Sequence, residues 1–301
     1  MSRRAWWLVG GVAGVVVIAA GLWLWQLTMR PPTPEQAARD YLHALESGDA
    51  DAVTATGIAV TAPALDAFTA ATALIEDAAV TAVREDPDAT TATVDIAFLL
   101  EDERRTAQLT LTPVEGRWTV DGSGLGTLTV DSTIGSDVGI GEIAMPAREK
   151  LALLPATYAI AAAPASLLSG GSTVQVLPGD NAAAAIEAAL RPEATAAAQS
   201  QLDERLDACT APAADAPDGC GIRIPWGTEF REVTGIRYRI DAVPTIALTP
   251  TGFTAEGGVL VSTVTGTGQD GEARTTTYRT DSWTLRGDVS FTADGIDLSV
   301  W

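Results

Sequence analysis

Residues Ala5 to Leu27 read AWWLVGGVAGVVVIAAGLWLWQL, an apolar run without a charged side chain. Whether this run stays in a membrane decides the compartment, orientation and redox setting of everything after it. At ~1.5 Å per residue a helix over it extends roughly 34 Å, enough to cross a ~30 Å hydrocarbon layer. Trp6 and Trp7 stand at one end and Trp23 and Trp25 at the other, where amphipathic rings favour the headgroup level. Arg3 and Arg4 precede the run, while Arg30 and then acidic residues follow it, so the positive bias holds residues 1–4 in the cytoplasm. The pattern predicts a single-pass signal-anchor over 5–27, embedded in the lipid bilayer, with the C-terminal domains extracytoplasmic. The alternative is a cleaved export signal. Ser2-Arg3-Arg4 matches part of a twin-arginine signal and Val17-Ile18-Ala19 offers a cleavage site, although the apolar run continues past it through Trp25.

The chain has 301 residues, with 19 basic against 39 acidic, a formal net charge of −20. Three of the basic residues lie at or before Arg30, so the part beyond the anchor is more acidic still, and nucleic acid is excluded as a partner. Lys150 is the only lysine and alanine abounds, which suits a GC-rich bacterial genome and a bacterial cell envelope. The length beyond the anchor exceeds what one small core needs and favours about two domains.

Residues 28–32 form a short linker stiffened by Pro31-Pro32. Thr33-Pro34-Glu35-Gln36 then reads as N-cap, first-turn proline and capping-box glutamine. Ala38, Tyr41, Leu42 and Leu45 make one apolar stripe, Gly48 stops the helix, and Asp49 caps a shorter one. A third helix is expected over 63–75. From Ala79 the period becomes two: Val94, Ile96, Phe98 and Leu100, then Leu109 and Leu111, then Trp118 and Val120, with turns such as Asp86-Pro87-Asp88 and Glu115-Gly116. Helices followed by an antiparallel meander predict an α+β domain over 33–122.

Ala37-Ala38-Arg39-Asp40-Tyr41-Leu42-His43-Ala44-Leu45-Glu46-Ser47-Gly48-Asp49 at the opening of this domain and Gly116-Arg117-Trp118-Thr119-Val120 at its close resemble the nuclear-transport-factor-2-like superfamily, in particular the small domains of that type behind bacterial membrane anchors. The resemblance covers under a third of the chain, and a second occurrence over 182–301 is left open. It implies a cone-like α+β fold. Enzymes of the superfamily carry acidic residues and histidine inside the cone, whereas many members are non-catalytic, and the non-catalytic analogy is the one that applies here.

Short strand-like runs at 127–134, 138–143, 158–162 and 173–177 predict a small β module over 123–181. Ala182–Leu190 and Pro192–Ala208 read as helix and the remainder as strands, giving a second, β-rich α+β domain over 182–301 that ends in a strand at Trp301. The expected fold class is therefore α+β: a single N-terminal transmembrane helix, a cone-like α+β domain, a small β module and a second β-rich α+β domain.

No motif specifies a reaction. His43 is the only histidine, and no nucleophile elbow accompanies it. Gly122–Gly126 and Gly135–Gly141 do not follow the strand-to-helix pattern of a phosphate loop, and no calcium loop or zinc spacing occurs. Acidic pairs such as Asp86 and Asp88, Glu101 and Glu103, or Asp215 and Asp218 arise by chance in so acidic a chain. No catalytic, cofactor-binding or metal-ligating residue is assigned. The expectation is a non-catalytic envelope protein whose domains bind or scaffold an envelope protein, a wall polymer or a small ligand. The alternative is a hydrolase using carboxylates.

Cys209 and Cys220, the only cysteines, flank Pro212, Pro217 and Gly219 on the side of the membrane where disulfides persist. They are expected to bridge. Closing so short a loop contributes about 3 kcal/mol in the chain-entropy model. Thiol labelling of the unreduced, denatured protein should find no free cysteine, and two labelled residues would refute the bridge.

Overall fold

A computed structural model describes residues 32–88, 90–210, 220–222 and 229–301. The expected anchor at 5–27, with Arg3, Arg4, Trp6, Trp7, Trp23 and Trp25, lies outside these residues. Among the described residues no helix is long and apolar enough to cross a membrane.

The expected α+β class is corrected by the observed content. Strands account for 54% and helices for 19%, with four α-helices among the described residues, so the chain is mostly β. Part of the difference lies in alanine-rich sequence read as helix. Ala182–Leu190 instead forms β12 (Asn181–Ile186) and β13 (Ala189–Leu190). Alanine prefers helix only in the absence of a better partner. Here β5 (Gly126–Ser132) hydrogen-bonds along the whole of β12, in parallel, and tertiary pairing overrides propensity.

The chain divides into two compact units: residues up to Thr61 with Leu74–Leu125 and Leu177–Gly179, and Ala62–Ala73 with Gly126–Val176 and Asp180–Trp301. In the first, α1 (Pro34–Ser47) starts at Thr33, whose hydroxyl accepts from the Gln36 N–H at 3.3 Å, and ends at Gly48 in the left-handed conformation. Asp49 caps α2 (Ala50–Ala55), its carboxylate accepting from Asp51 N at 2.9 Å and Ala52 N at 3.2 Å. Four antiparallel strands follow in sequence order, β1 (Glu76–Glu85), β2 (Ala92–Leu100), β3 (Glu103–Val114) and β4 (Arg117–Val120).

The apolar stripe of α1 lies on this sheet. Ala38, Tyr41, Leu42 and Leu45 are buried together with Val94, Ile96, Phe98, Leu100, Leu109 and Leu111. Glu46 reaches the sheet edge and accepts from Ala78 N at 2.7 Å. Below the helix, the buried Tyr41 hydroxyl donates to the Gly124 carbonyl at 2.7 Å, in the 3-10 turn that leaves β4. A Cβ at Gly124 would lie 2.6 Å from Val120 Cγ1 and 3.1 Å from the Tyr41 hydroxyl, so only glycine permits this approach. The unit is completed late, where Gly179 N donates to Leu125 O at 2.8 Å.

The second unit begins with α3 (Ala62–Thr69), shorter than the helix expected over 63–75. It packs on β7 (Ile143–Pro146) and β8 (Lys150–Leu153) rather than on the meander. With β6 (Asp137–Ile140), β9 (Ala156–Ala162) and β11 (Gly171–Val176), the strands make one sheet of order β11-β9-β6-β7, another of order β12-β5-β8, and a small pair of β10 (Leu168–Ser169) with β13. Phe68, Leu128, Val138, Ile140, Leu154 and Tyr158 are buried here, and the Tyr158 hydroxyl donates to Leu154 O at 2.7 Å.

After α4 (Pro192–Cys209) come β14 (Phe230–Ala242), β15 (Thr245–Leu248), β16 (Gly252–Gly268), β17 (Ala273–Thr292) and β18 (Gly295–Val300). These form one antiparallel sheet, β14-β16-β17-β18, with β15 beside the start of β16. α4 packs on β15 and β18 through Ala194, Ala198, Leu202 and Leu206. Its last residue, Cys209, is bridged to Cys220 with a Cα–Cα distance of 5.8 Å, and both sulfurs are buried. The neighbouring Gly221 carbonyl accepts from Trp283 Nε1 at 3.4 Å, which ties the bridge to β17.

Two substitutions test the contact between α1 and the turn after β4. Tyr41→Phe should lower stability by about 1 kcal/mol through the lost hydrogen bond, read as a shift of the urea midpoint. Gly124→Ala should cost more, since it forces the turn away from Val120, and equal midpoints for the two would contradict the geometry.

Candidate functional site

The first unit contains a hollow of about 310 Å³ between α1, α2 and β4. Ala37, Asp40 and Ala44 recur at helical spacing on α1 and so share a face, with His43 beside them. Ala52, Ala55 and Thr56 contribute the α2 wall, Arg117 and Trp118 the β4 wall, and Pro32 the rim. The hollow exists because its helical walls are built from alanines. Longer side chains at 37, 44, 52 and 55 would fill it. Its size is at the lower end of small-ligand sites.

Trp118, half-buried, places an indole in the wall. Asp40 and Arg117, both exposed, carry opposite charges into the hollow, yet neither pairs with the other nor with any other described residue. His43 is 86% exposed at its side chain, with Nδ1 3.9 Å from Glu46 Oε2. Elsewhere on α1 the charges are matched, as in the Arg39–Glu35 pair one turn apart.

A second hollow, of about 300 Å³, lies on the C-terminal sheet against Gly235, Arg237, Thr263 and Thr265. On the same face Arg239 donates to Asp241 at 2.7 Å, and Arg279 donates to both Asp241 and Asp281. The Arg239 hydrogen bond above all, with help from that of Arg279, holds the Asp241 carboxyl below its usual range against an opposing desolvation. In the first unit Gln108 and then Arg84 do the same for Asp95. Burial pushes the Tyr158 hydroxyl well above its usual range. Partial desolvation, with a hydrogen bond to Glu229, raises that of Tyr278. None of these groups lines the hollow of the first unit.

Of the residues singled out in the sequence, Cys209 and Cys220 are brought together. Arg3, Arg4, Trp6, Trp7, Trp23 and Trp25 lie outside the described residues. Asp86, Asp88, Glu101 and Glu103 are all exposed, and Asp215 and Asp218 are outside the described residues. Among the described residues no grouping of three or more His, Cys, Asp or Glu is placed to hold a metal ion. Sequence reasoning did not assign Asp40, Arg117 or Trp118 to a site. Their segments were singled out only as the two ends of the first domain, and the signal that joins them is spatial. No family model matches the chain, and neither a curated protein nor a solved structure does.

Because Asp40 and Arg117 are exposed and unpaired, Asp40→Asn and Arg117→Gln should each change stability by no more than about 0.5 kcal/mol. A thermal midpoint lowered by many degrees in either variant would show that these charges serve the fold instead of the hollow.

Proposed function

We propose that this chain is a non-catalytic, single-pass, membrane-anchored protein of a bacterial cell envelope, whose extracytoplasmic part binds a ligand or partner in the hollow between α1, α2 and β4. The observation that carries the reading is the pair of unmatched opposite charges, Asp40 and Arg117, beside the Trp118 ring in one preformed hollow. A few convergent polar groups and an aromatic ring in an otherwise apolar lining are the usual composition of a binding site.

The anchor belongs to the same reading through the apolar run 5–27, its tryptophan ends and its arginine bias. Pro32, on the rim of the hollow, is only five residues beyond Leu27. Even fully extended at ~3.1 Å per residue, that tether spans roughly 16 Å, which would keep the hollow near the outer leaflet. The resemblance of 33–122 to nuclear-transport-factor-2-like domains is part of the proposal, since many members of that superfamily are non-catalytic.

Full-length protein reconstituted into phosphatidylethanolamine–phosphatidylglycerol vesicles should float with them in 1 M salt, and external protease should remove the mass beyond Arg30 while sparing the N-terminus. Release by salt, or a mature N-terminus near Ala20 in cells, would overturn the anchor. For binding, a photoreactive residue at Ala55, on the α2 wall, should capture a partner in intact cells that one at Thr284, on β17 of the C-terminal sheet, does not. Equal labelling from both positions would count against the hollow.

A further inference from the structure

The charges of the hollow specify more than binding. Asp40 accepts hydrogen bonds and attracts a cation; Arg117 offers a planar fork of donors suited to a carboxylate. Trp118 supplies an aromatic face that tolerates either an apolar group or an ammonium. Arg117 and Asp40, neither with an ion-pair partner among the described residues, line the same hollow. The hollow on the C-terminal sheet offers Arg237 but no acidic side chain in its lining.

Resting on the binding role proposed above, we propose that the hollow between α1, α2 and β4 is a site for a small zwitterion, an α-amino acid or a compact analogue carrying one ammonium and one carboxylate. The ammonium faces Asp40, the carboxylate takes two hydrogen bonds from the Arg117 guanidinium, and the side chain rests against Trp118 and the alanine walls. A purely anionic ligand would leave Asp40 repelling it. A purely cationic one would do the same with Arg117, and a neutral sugar would leave both charges without a counter-charge. Only a ligand bearing both charges satisfies the hollow as built. The volume of about 310 Å³ matches a ligand the size of a single residue.

The test uses full-length protein in detergent micelles, with alanine and leucine in both enantiomers, their N-acetyl and C-amide derivatives, and glucose as probes, followed by saturation-transfer NMR and calorimetry. A free amino acid should bind saturably at about millimolar affinity, as expected for an open site and a ligand of few atoms. Each blocked form should bind about tenfold more weakly, the loss of one charge-assisted contact. Asp40→Asn should abolish the discrimination against the N-acetyl form alone, and Arg117→Gln that against the amide alone, which a merely structural role for either residue would not produce. Equal binding of free and blocked forms, binding indifferent to both substitutions, or no saturable binding of any amino acid overturns the proposal. If glucose binds and is lost in Trp118→Ala while the amino acids stay silent, the zwitterion is refuted but the hollow remains a binding site. If the Ala55 photoprobe also captures nothing, the broader reading fails as well.

Discussion

The first unit depends on one buried hydrogen bond between groups 83 residues apart in sequence, from the Tyr41 hydroxyl to the Gly124 carbonyl. A phenol taken from water must find a partner or lose the solvation it gives up. Its partner here is a backbone carbonyl in a turn where no side chain fits. The bond thereby fixes both the rotation of α1 about its axis and its position along the sheet. With that rotation set, Ala38, Leu42 and Leu45 face the core, and Ala37, Asp40 and Ala44 line the hollow. The site is thus a by-product of how the helix is pinned.

The same logic separates what the sequence made legible from what it did not. Helix ends were readable because capping is local. Thr33, Pro34, Gly48 and Asp49 act on neighbours within a few residues, and α1 begins and ends, and α2 begins, where those residues place them. The strands of the meander were readable because one face is buried, as the alternation along β2 shows. The cysteine pair was readable from its spacing and its prolines. Membership was not. Residues 62–69 have a helical pattern, but nothing in it says that the helix serves β7 and β8 and not the meander after it. Nor does the alanine run at 182–185 carry a side chain whose pattern distinguishes strand from helix. Its state is decided by β5, more than fifty residues earlier. Errors of that kind added helix where strands stand and led to an α+β reading of a mostly β chain.

The hollow was illegible for a related reason. Asp40 and Arg117 come from opposite ends of the unit, and in a chain with 39 acidic residues a single aspartate draws no notice. What distinguishes it is its place in one hollow with Arg117 and Trp118, a property of neighbours in space. Charge balance elsewhere gives the contrast. On the C-terminal sheet Arg239 and Asp241 of β14 and Arg279 and Asp281 of β17 satisfy one another, the Arg279–Asp241 pair reaching over the intervening β16.

The parallel pairing of β12 with β5 and the Gly179–Leu125 hydrogen bond carry a consequence for biogenesis. A ribosome delivers the chain from its N-terminus, so α1, α2 and the meander are made long before Gly179, which completes their unit, and β5 emerges well ahead of β12, which pairs with it in parallel. Until about residue 186 has been synthesised, the exposed edge of β5 and the open end of the first unit are vulnerable to wrong pairing, and non-local closures of this kind are slow. The nascent protein therefore passes through a window in which a holding factor matters more than the final stability of either unit.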